Sequence, residues 1–225
     1  YVIPWNPSYP SSPNPNSKMS ALIVVDMQYD FCTGGSLAVP NAEMTFSVVN
    51  TLIASPKWKT VVFSRDFHPT DHCSFASNNP GTTLFTEVDL PNVGKQMMWP
   101  DHCVQGSRGS EFHAEIHVPD HAKVVLKGTN KEVDSYSAFM DNKHGHNTEL
   151  DPLLKEQGIT DIYLVGLAHD YCVYYTAMDG INLGYNVYFI TDGTKGITEE
   201  GVAAADAKMA SVGVRHLTSA EVLSA

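Results

Sequence analysis

The 225-residue sequence has no uninterrupted apolar run of the roughly 18 residues that a membrane-spanning helix requires. Positive charge is scarce too: 14 Lys and Arg stand against 25 Asp and Glu, a formal net charge of −11. With no basic stripe, nucleic acid and anionic membrane surfaces are not expected partners. Cysteine is sparse. The four, Cys32, Cys73, Cys103 and Cys172, include no C-x-x-C pair. A chain this long and core-rich needs no disulfide staples, so reduced thiols in a reducing, cytoplasmic compartment are expected. Residues 1–18 lack the basic and apolar segments of a signal peptide. Rich in Pro, Ser and Asn, they read as a disordered tail ahead of one domain spanning 19–225. There is no internal repeat and no second linker.

What is present is an ordinary globular balance, 43% hydrophobic and 17% charged. Short β-branched runs, apolar on both faces, mark buried parallel strands at Ala21–Asp26, Thr60–Ser64, Lys123–Leu126, Asp161–Gly166 and Val187–Thr191, with a weaker one at Val214–Leu217. Helical spacing alternates with them. Asn41 can cap a helix to about Ala54 that turns Met44, Val48, Val49 and Leu52 inward. Tyr171–Leu183 and Thr198–Ala210 read as helices closed by Gly184 and Gly213, and Thr218-x-x-Glu221 is a capping box. The alternation predicts a three-layer, doubly wound α/β domain with a mainly parallel sheet of about six strands. The long stretch from Arg65 to Ala122 breaks the rhythm and reads as a functional loop.

Ligands of such sheets bind beyond the carboxyl ends of the strands. Asp26 closes the first strand run and Lys127 follows the third. An isolated carboxylate there serves equally well as a cap, and most lysines are solvated. Cys172 falls in the first turn of a predicted helix, where free N–H groups and the macrodipole lower a thiol pKa and can hold an oxyanion. The commonest alternative for a free thiol is an inert, buried one. Asp26, Lys127 and Cys172 make a plausible nucleophilic constellation, although spacing does not require them to meet. The long loop carries Asp66-Phe67-His68, Asp71-His72 and Pro100-Asp101-His102. Oxygen and nitrogen donors of this kind suit Zn²⁺, Fe²⁺ or Mn²⁺. His113, His117, His121, His144 and His146 read as surface residues.

Taken together, these segments resemble a known family. Val24-Val25-Asp26-Met27-Gln28-Tyr29-Asp30-Phe31, Lys127 and Val165-Gly166-Leu167-Ala168-His169-Asp170-Tyr171-Cys172-Val173 look like the three signatures of the isochorismatase-like cysteine hydrolases. The runs Ser64–Ala76 and Trp99–Val104 are similar to those of its nicotinamidase (pyrazinamidase) branch. The resemblance implies that Cys172 is the nucleophile, Asp26 the general acid/base and Lys127 the third triad member. It implies a cis peptide at Leu167–Ala168, an oxyanion hole from the N–H groups of Ala168 and Cys172, and substrate contacts from Phe31, Trp99, Tyr136 and Leu167. It implies Asp66, His68 and His102 as ligands of one divalent metal, zinc ahead of iron or manganese, with His72 either a further ligand or a neighbour of the metal's water shell. The implied reaction is hydrolysis of nicotinamide, and of pyrazinamide, to the acid and ammonia through a thioester, feeding NAD salvage. A homo-oligomer is also implied. His169 stands where members carry a small polar residue or Thr, and the Leu84–Met98 insertion is longer than in compact members. Two other readings stay open: a different amidase of the superfamily, and a metal-binding thiol sensor with no hydrolase activity.

Overall fold

The computed structural model describes residues 19–91 and 93–224; the Pro-rich segment 1–18 lies outside the described residues. Six parallel strands form the sheet: β1 (Ser20–Val25), β2 (Thr60–Asp66), β5 (Lys123–Lys127), β6 (Asp161–Leu167), β7 (Asn186–Lys195) and β8 (Arg215–Leu217), in the order β5-β2-β1-β6-β7-β8. Each sequence-predicted strand is present, and every pairing within this sheet is parallel.

Side-chain alternation divides the core in two. Leu22, Val24, Phe63, Val165 and Ile190 face one side, where α1 (Phe46–Ile53) and α5 (Ser219–Ser224) supply Val49, Leu52 and Val222. Ile23, Val25, Val62, Leu164 and Phe189 face the other. There, α2 (Leu150–Glu156), α3 (Tyr174–Asn182) and α4 (Glu199–Ser211) supply Leu150, Leu154, Ala177 and Met209. The chain runs outward from β1 through β2 to β5, then returns to pair β6 on the other flank of β1. The order therefore reverses between β1 and β6, the position where a doubly wound sheet opens a crevice.

Several local expectations need correction. Asn41 does not cap a helix: it is left-handed (φ 58°), and a 3₁₀ turn over Ala42–Thr45 precedes α1. Met44 on that turn is 68% exposed, because the tighter winding rotates it off the inward face. The Leu84–Met98 insertion contains an antiparallel hairpin, β3 (Glu87–Leu90) with β4 (Gly94–Met97), hidden in the sequence because one face carries Glu87, Asp89 and Lys95 and only Val88 and Leu90 are apolar on the other. The helix α2 was also unforeseen; it carries Pro152 in its first turn, where the missing N–H costs nothing. The capping box at Thr218 and Glu221 is formed, with Thr218 N–H donating to Glu221 Oε2 at 2.7 Å. No helix among the described residues is long and apolar enough to cross a membrane.

Candidate active site

The crevice brings three strand ends together. Immediately after β1, Asp26 takes a left-handed conformation (φ 47°), turning its carboxylate back over the sheet edge. The neighbouring β6 closes tightly on this turn, since a Cβ on Gly166 would lie 2.0 Å from the Val25 carbonyl oxygen. The peptide Leu167–Ala168 is cis, as the resemblance implied. A single wide turn, His169–Val173, then carries Cys172 into α3.

Lys127, at the end of β5, is the centre of the cluster. Its ammonium lies 2.9 Å from Asp26 Oδ2 and 3.0 Å from Asp66 Oδ1, and it donates to the Ser135 carbonyl at 3.0 Å and to Cys172 Sγ at 3.4 Å. Ser64 Oγ donates to Asp26 Oδ1 at 2.6 Å. Lys127, Asp26 and Asp66 are all buried. Burial opposes the charge on Lys127, but the two carboxylates outweigh it and hold its pKa well above the usual range. Burial pushes Asp26 up, against the pull of Lys127, making it a stronger base than a surface aspartate. Burial likewise pushes the Cys172 thiol well above its ordinary value; Lys127 pulls it back, while Asp26 pushes it further up. Burial thus opposes the lowering expected of a helix end, and the sulfur calls for a neighbouring base.

The second wall comes from the long loop. His68 and the Cys103–Gln105 segment are zipped together, His68 N–H donating to the Cys103 carbonyl (3.0 Å) and Gln105 N–H to that of His68 (2.8 Å). Gln28 fixes this loop to the sheet, bonding both the N–H and carbonyl of Asp66, and the Asp30 carboxylate accepts from Cys103 N–H at 2.7 Å. His68 turns Nδ1 to the Gly128 carbonyl and His102 turns Nδ1 to that of Pro100, each at 2.8 Å. Carbonyls only accept, so Nδ1 bears a proton, and Nε2 is the nitrogen left to donate to Asp66 or, once deprotonated, to bind a cation. Both Nε2 atoms face Asp66 Oδ2, at 2.9 Å and 3.4 Å. The donor atoms of Asp66, His68 and His102 all lie within 4.8 Å of one another. This buried O/N/N set, its imidazoles oriented by backbone carbonyls, fits a divalent metal. Gly128 belongs to the construction: it is left-handed (φ 65°), and a Cβ there would meet the His68 ring at 2.4 Å.

His72 differs from that pair. Its Nδ1 meets Ser74 Oγ at 2.8 Å and Ser74 N–H at 3.3 Å, and its buried Nε2 has no hydrogen-bond partner. Burial pushes its pKa down to about 4, so the ring is neutral, and with His68 and Asp134 it forms a second group of donors close enough to share a cation.

Between the walls lies a small chamber lined by Phe31, Trp99, His102, Tyr136, Ala168 and Cys172 together with Leu37, Asp66, Asp134, Tyr171 and Ile197. Leu167 does not line it: strand alternation puts it on the same face as Val165, inside the core. The residues missed were Leu37, Asp134, Tyr171 and Ile197. Ile197 follows the end of β7, so the strand-end rule that found Asp26 could have found it; Leu37 carries no such signal. Trp99 is edge-on to Tyr171 at 5.0 Å, and its Nε1–H donates to the Tyr136 hydroxyl at 3.2 Å. All four cysteines are free, and of them Cys172 is the one that lines the chamber. His113 is half-buried, packed between Tyr29 and Phe46, while His117, His121, His144 and His146 are exposed as expected.

Comparison with known proteins agrees with this architecture. The Isochorismatase domain family matches residues 20–221. The nicotinamidase of Escherichia coli (strain K12) is 44% identical over 191 residues, covering 84% of this chain and 89% of that protein. An Acinetobacter baumannii nicotinamidase/pyrazinamidase structure superposes with a TM-score of 0.87 at 39% identity, covering 92% of this chain and 99% of that one. The pyrazinamidase of Pyrococcus horikoshii, solved in complex with zinc, superposes with a TM-score of 0.75 at 34% identity, covering 89% and 99%.

Proposed function

The chain belongs to the isochorismatase family, in its nicotinamidase branch, and from that membership and the chamber's chemistry we propose that it hydrolyses nicotinamide to nicotinate and ammonia, with Cys172 as nucleophile. The observation that carries the reading is Lys127, which touches Asp26, Asp66 and Cys172 at once and so joins a nucleophilic cluster to a metal-type cluster in one buried site.

The reaction follows from these positions. Asp26 takes the thiol proton as Cys172 Sγ attacks the amide carbon. Lys127 keeps its charge throughout and offsets the negative charge that appears on the sulfur or on Asp26. The N–H groups of Ala168 and Cys172 hold the oxyanion, each donor contributing about 2.7–4 kcal/mol in comparable sites. Asp26 returns the proton to the departing nitrogen, ammonia leaves, and a thioester remains on Cys172. Asp26 then deprotonates a water that attacks the thioester carbon. Nicotinate is released as the sulfur regains its proton. Phe31 and Trp99 pack the pyridine ring, and Tyr136 closes the chamber beside Trp99. Asp66, His68 and His102 would hold one divalent ion, zinc ahead of iron or manganese, which would supply Lewis-acid chemistry toward the ring nitrogen. Pyrazinamide, with a nitrogen in the same ring position, fits the same chamber. The product supplies NAD salvage.

A thiol sensor needs an exposed, low-pKa sulfur. Cys172 is 7% exposed with a raised pKa, which argues against that role. Ammonia release measured on nicotinamide, pyrazinamide and an N-carbamoyl amide, with metal content determined on the same sample, tests the proposal. Turnover of the pyridine and pyrazine carboxamides alone is expected; turnover confined to the carbamoyl compound would replace this reading with another amidase of the family.

A further inference from the structure

In the turn that carries Cys172, Tyr171 N–H and Val173 N–H both donate to the Ala168 carbonyl at 3.1 Å. Further support comes from behind. The Asp170 carboxylate accepts from the N–H groups of Ile197 and Thr198 at the entry to α4. The His169 ring, 5% exposed, is bonded on both nitrogens, Nε2 to Asp206 Oδ1 on α4 and Nδ1 to Thr194 Oγ1 on β7, each at 2.9 Å. The same Asp206 oxygen takes His216 Nε2 from β8 at 3.1 Å, and Phe189 packs edge-on against the His169 ring. Burial pushes His169 below its ordinary pKa, against the pull of Asp206, so the ring is neutral near pH 7. A neutral ring facing a carboxylate must carry its proton on Nε2, which leaves Nδ1 to accept from Thr194. Every polar atom of His169 is therefore committed to orientation, and His169 follows Ala168 directly.

We propose that His169 and Asp206 form a positioning pair, in which α4, acting through the imidazole, sets the placement of the Ala168 and Cys172 N–H groups and of the thiol over the substrate. The pair acts on the geometry of the reacting centre, while Phe31, Trp99 and His102 line the chamber from other segments. Loosening it lowers turnover while leaving substrate binding in place.

This inference rests on the function proposed above, and its test separates the two. Steady-state kinetics on nicotinamide are compared for the metal-loaded wild type, His169→Ala, Asp206→Ala, the double variant and Asp206→Asn, which keeps an oxygen for Nε2–H. Expected are a kcat roughly tenfold lower in both alanine variants at a nearly unchanged KM, a double variant no worse than either single one, and recovery in Asp206→Asn. Unchanged kcat in His169→Ala, additive losses in the double variant, or Asp206→Asn as impaired as Asp206→Ala would each overturn the pairing. Wild-type protein that releases no ammonia refutes the assigned reaction instead. The pair is then judged by iodoacetamide alkylation with peptide mapping: His169→Ala and Asp206→Ala should alter the rate at Cys172 and leave Cys32, Cys73 and Cys103 unchanged, and an unaltered rate at Cys172 overturns it.

Discussion

The two walls of the chamber are built in different ways. The nucleophilic wall stands on the ends of β1, β5 and β6, where parallel register fixes Asp26, Lys127 and Cys172 relative to one another. In the wall of metal-type ligands only Asp66 closes a strand, β2; His68 and His102 hang on loops joined by the His68–Val104 and Phe75–Trp99 bridges. Its precision comes from side-chain and carbonyl clamps: Gln28 and Asp30 on the backbone, and the Gly128 and Pro100 carbonyls on the imidazoles. Strand ends supply rigidity cheaply, and a loop needs one dedicated contact for each degree of freedom it loses. Lys127 belongs to both, and the walls can be separated experimentally by removing their parts in turn.

The largest effect is expected on the nucleophilic side. Cys172→Ala should lower ammonia release by at least about 10⁴-fold while nicotinamide still binds, as calorimetry can check. Lys127→Met should damage both walls, because it leaves Asp26 and Asp66 facing each other without a counter-charge. Breaking a buried pair in this way costs about 3–5 kcal/mol, read as a lower midpoint in denaturant unfolding. His102→Ala, or chelation of the wild type, should act on the loop wall alone. Loss of metal, measured by elemental analysis, should accompany a fall in turnover of about 10²-fold, with the rate of Cys172 alkylation unchanged. A matching change in alkylation would mean that the walls are not separable. Thr218→Ala, distant from both, should cost about 1 kcal/mol of stability and leave kcat as it was.

The same contrast explains what could be read from the sequence. β-branched runs buried on both faces announce their strands, and strand ends announce Asp26 and Lys127, because a parallel sheet forces them to one edge. The motif resemblance supplied Cys172's role and the ligand trio. The orientation of Leu167 was misjudged because motif position says nothing of which face a strand residue takes; alternation with Val165 does. The burial that raises the Cys172 thiol pKa is a property of the assembled chamber and could not be read from a helix end in the sequence. Leu37 and Asp134 reach the chamber through irregular chain with no period to follow, and the hairpin β3–β4 was too short and too polar to stand out.

The central claim is a cysteine-bound acyl intermediate formed from nicotinamide. Rapid acid quenching of metal-loaded protein turning over nicotinamide, followed by mass spectrometry of its peptides, tests it most directly. A nicotinoyl adduct on the peptide bearing Cys172, absent from Cys172→Ala and accompanied by ammonia release, is the predicted result. Ammonia release that persists in Cys172→Ala, or an adduct on any of the other three cysteines in place of Cys172, would contradict it.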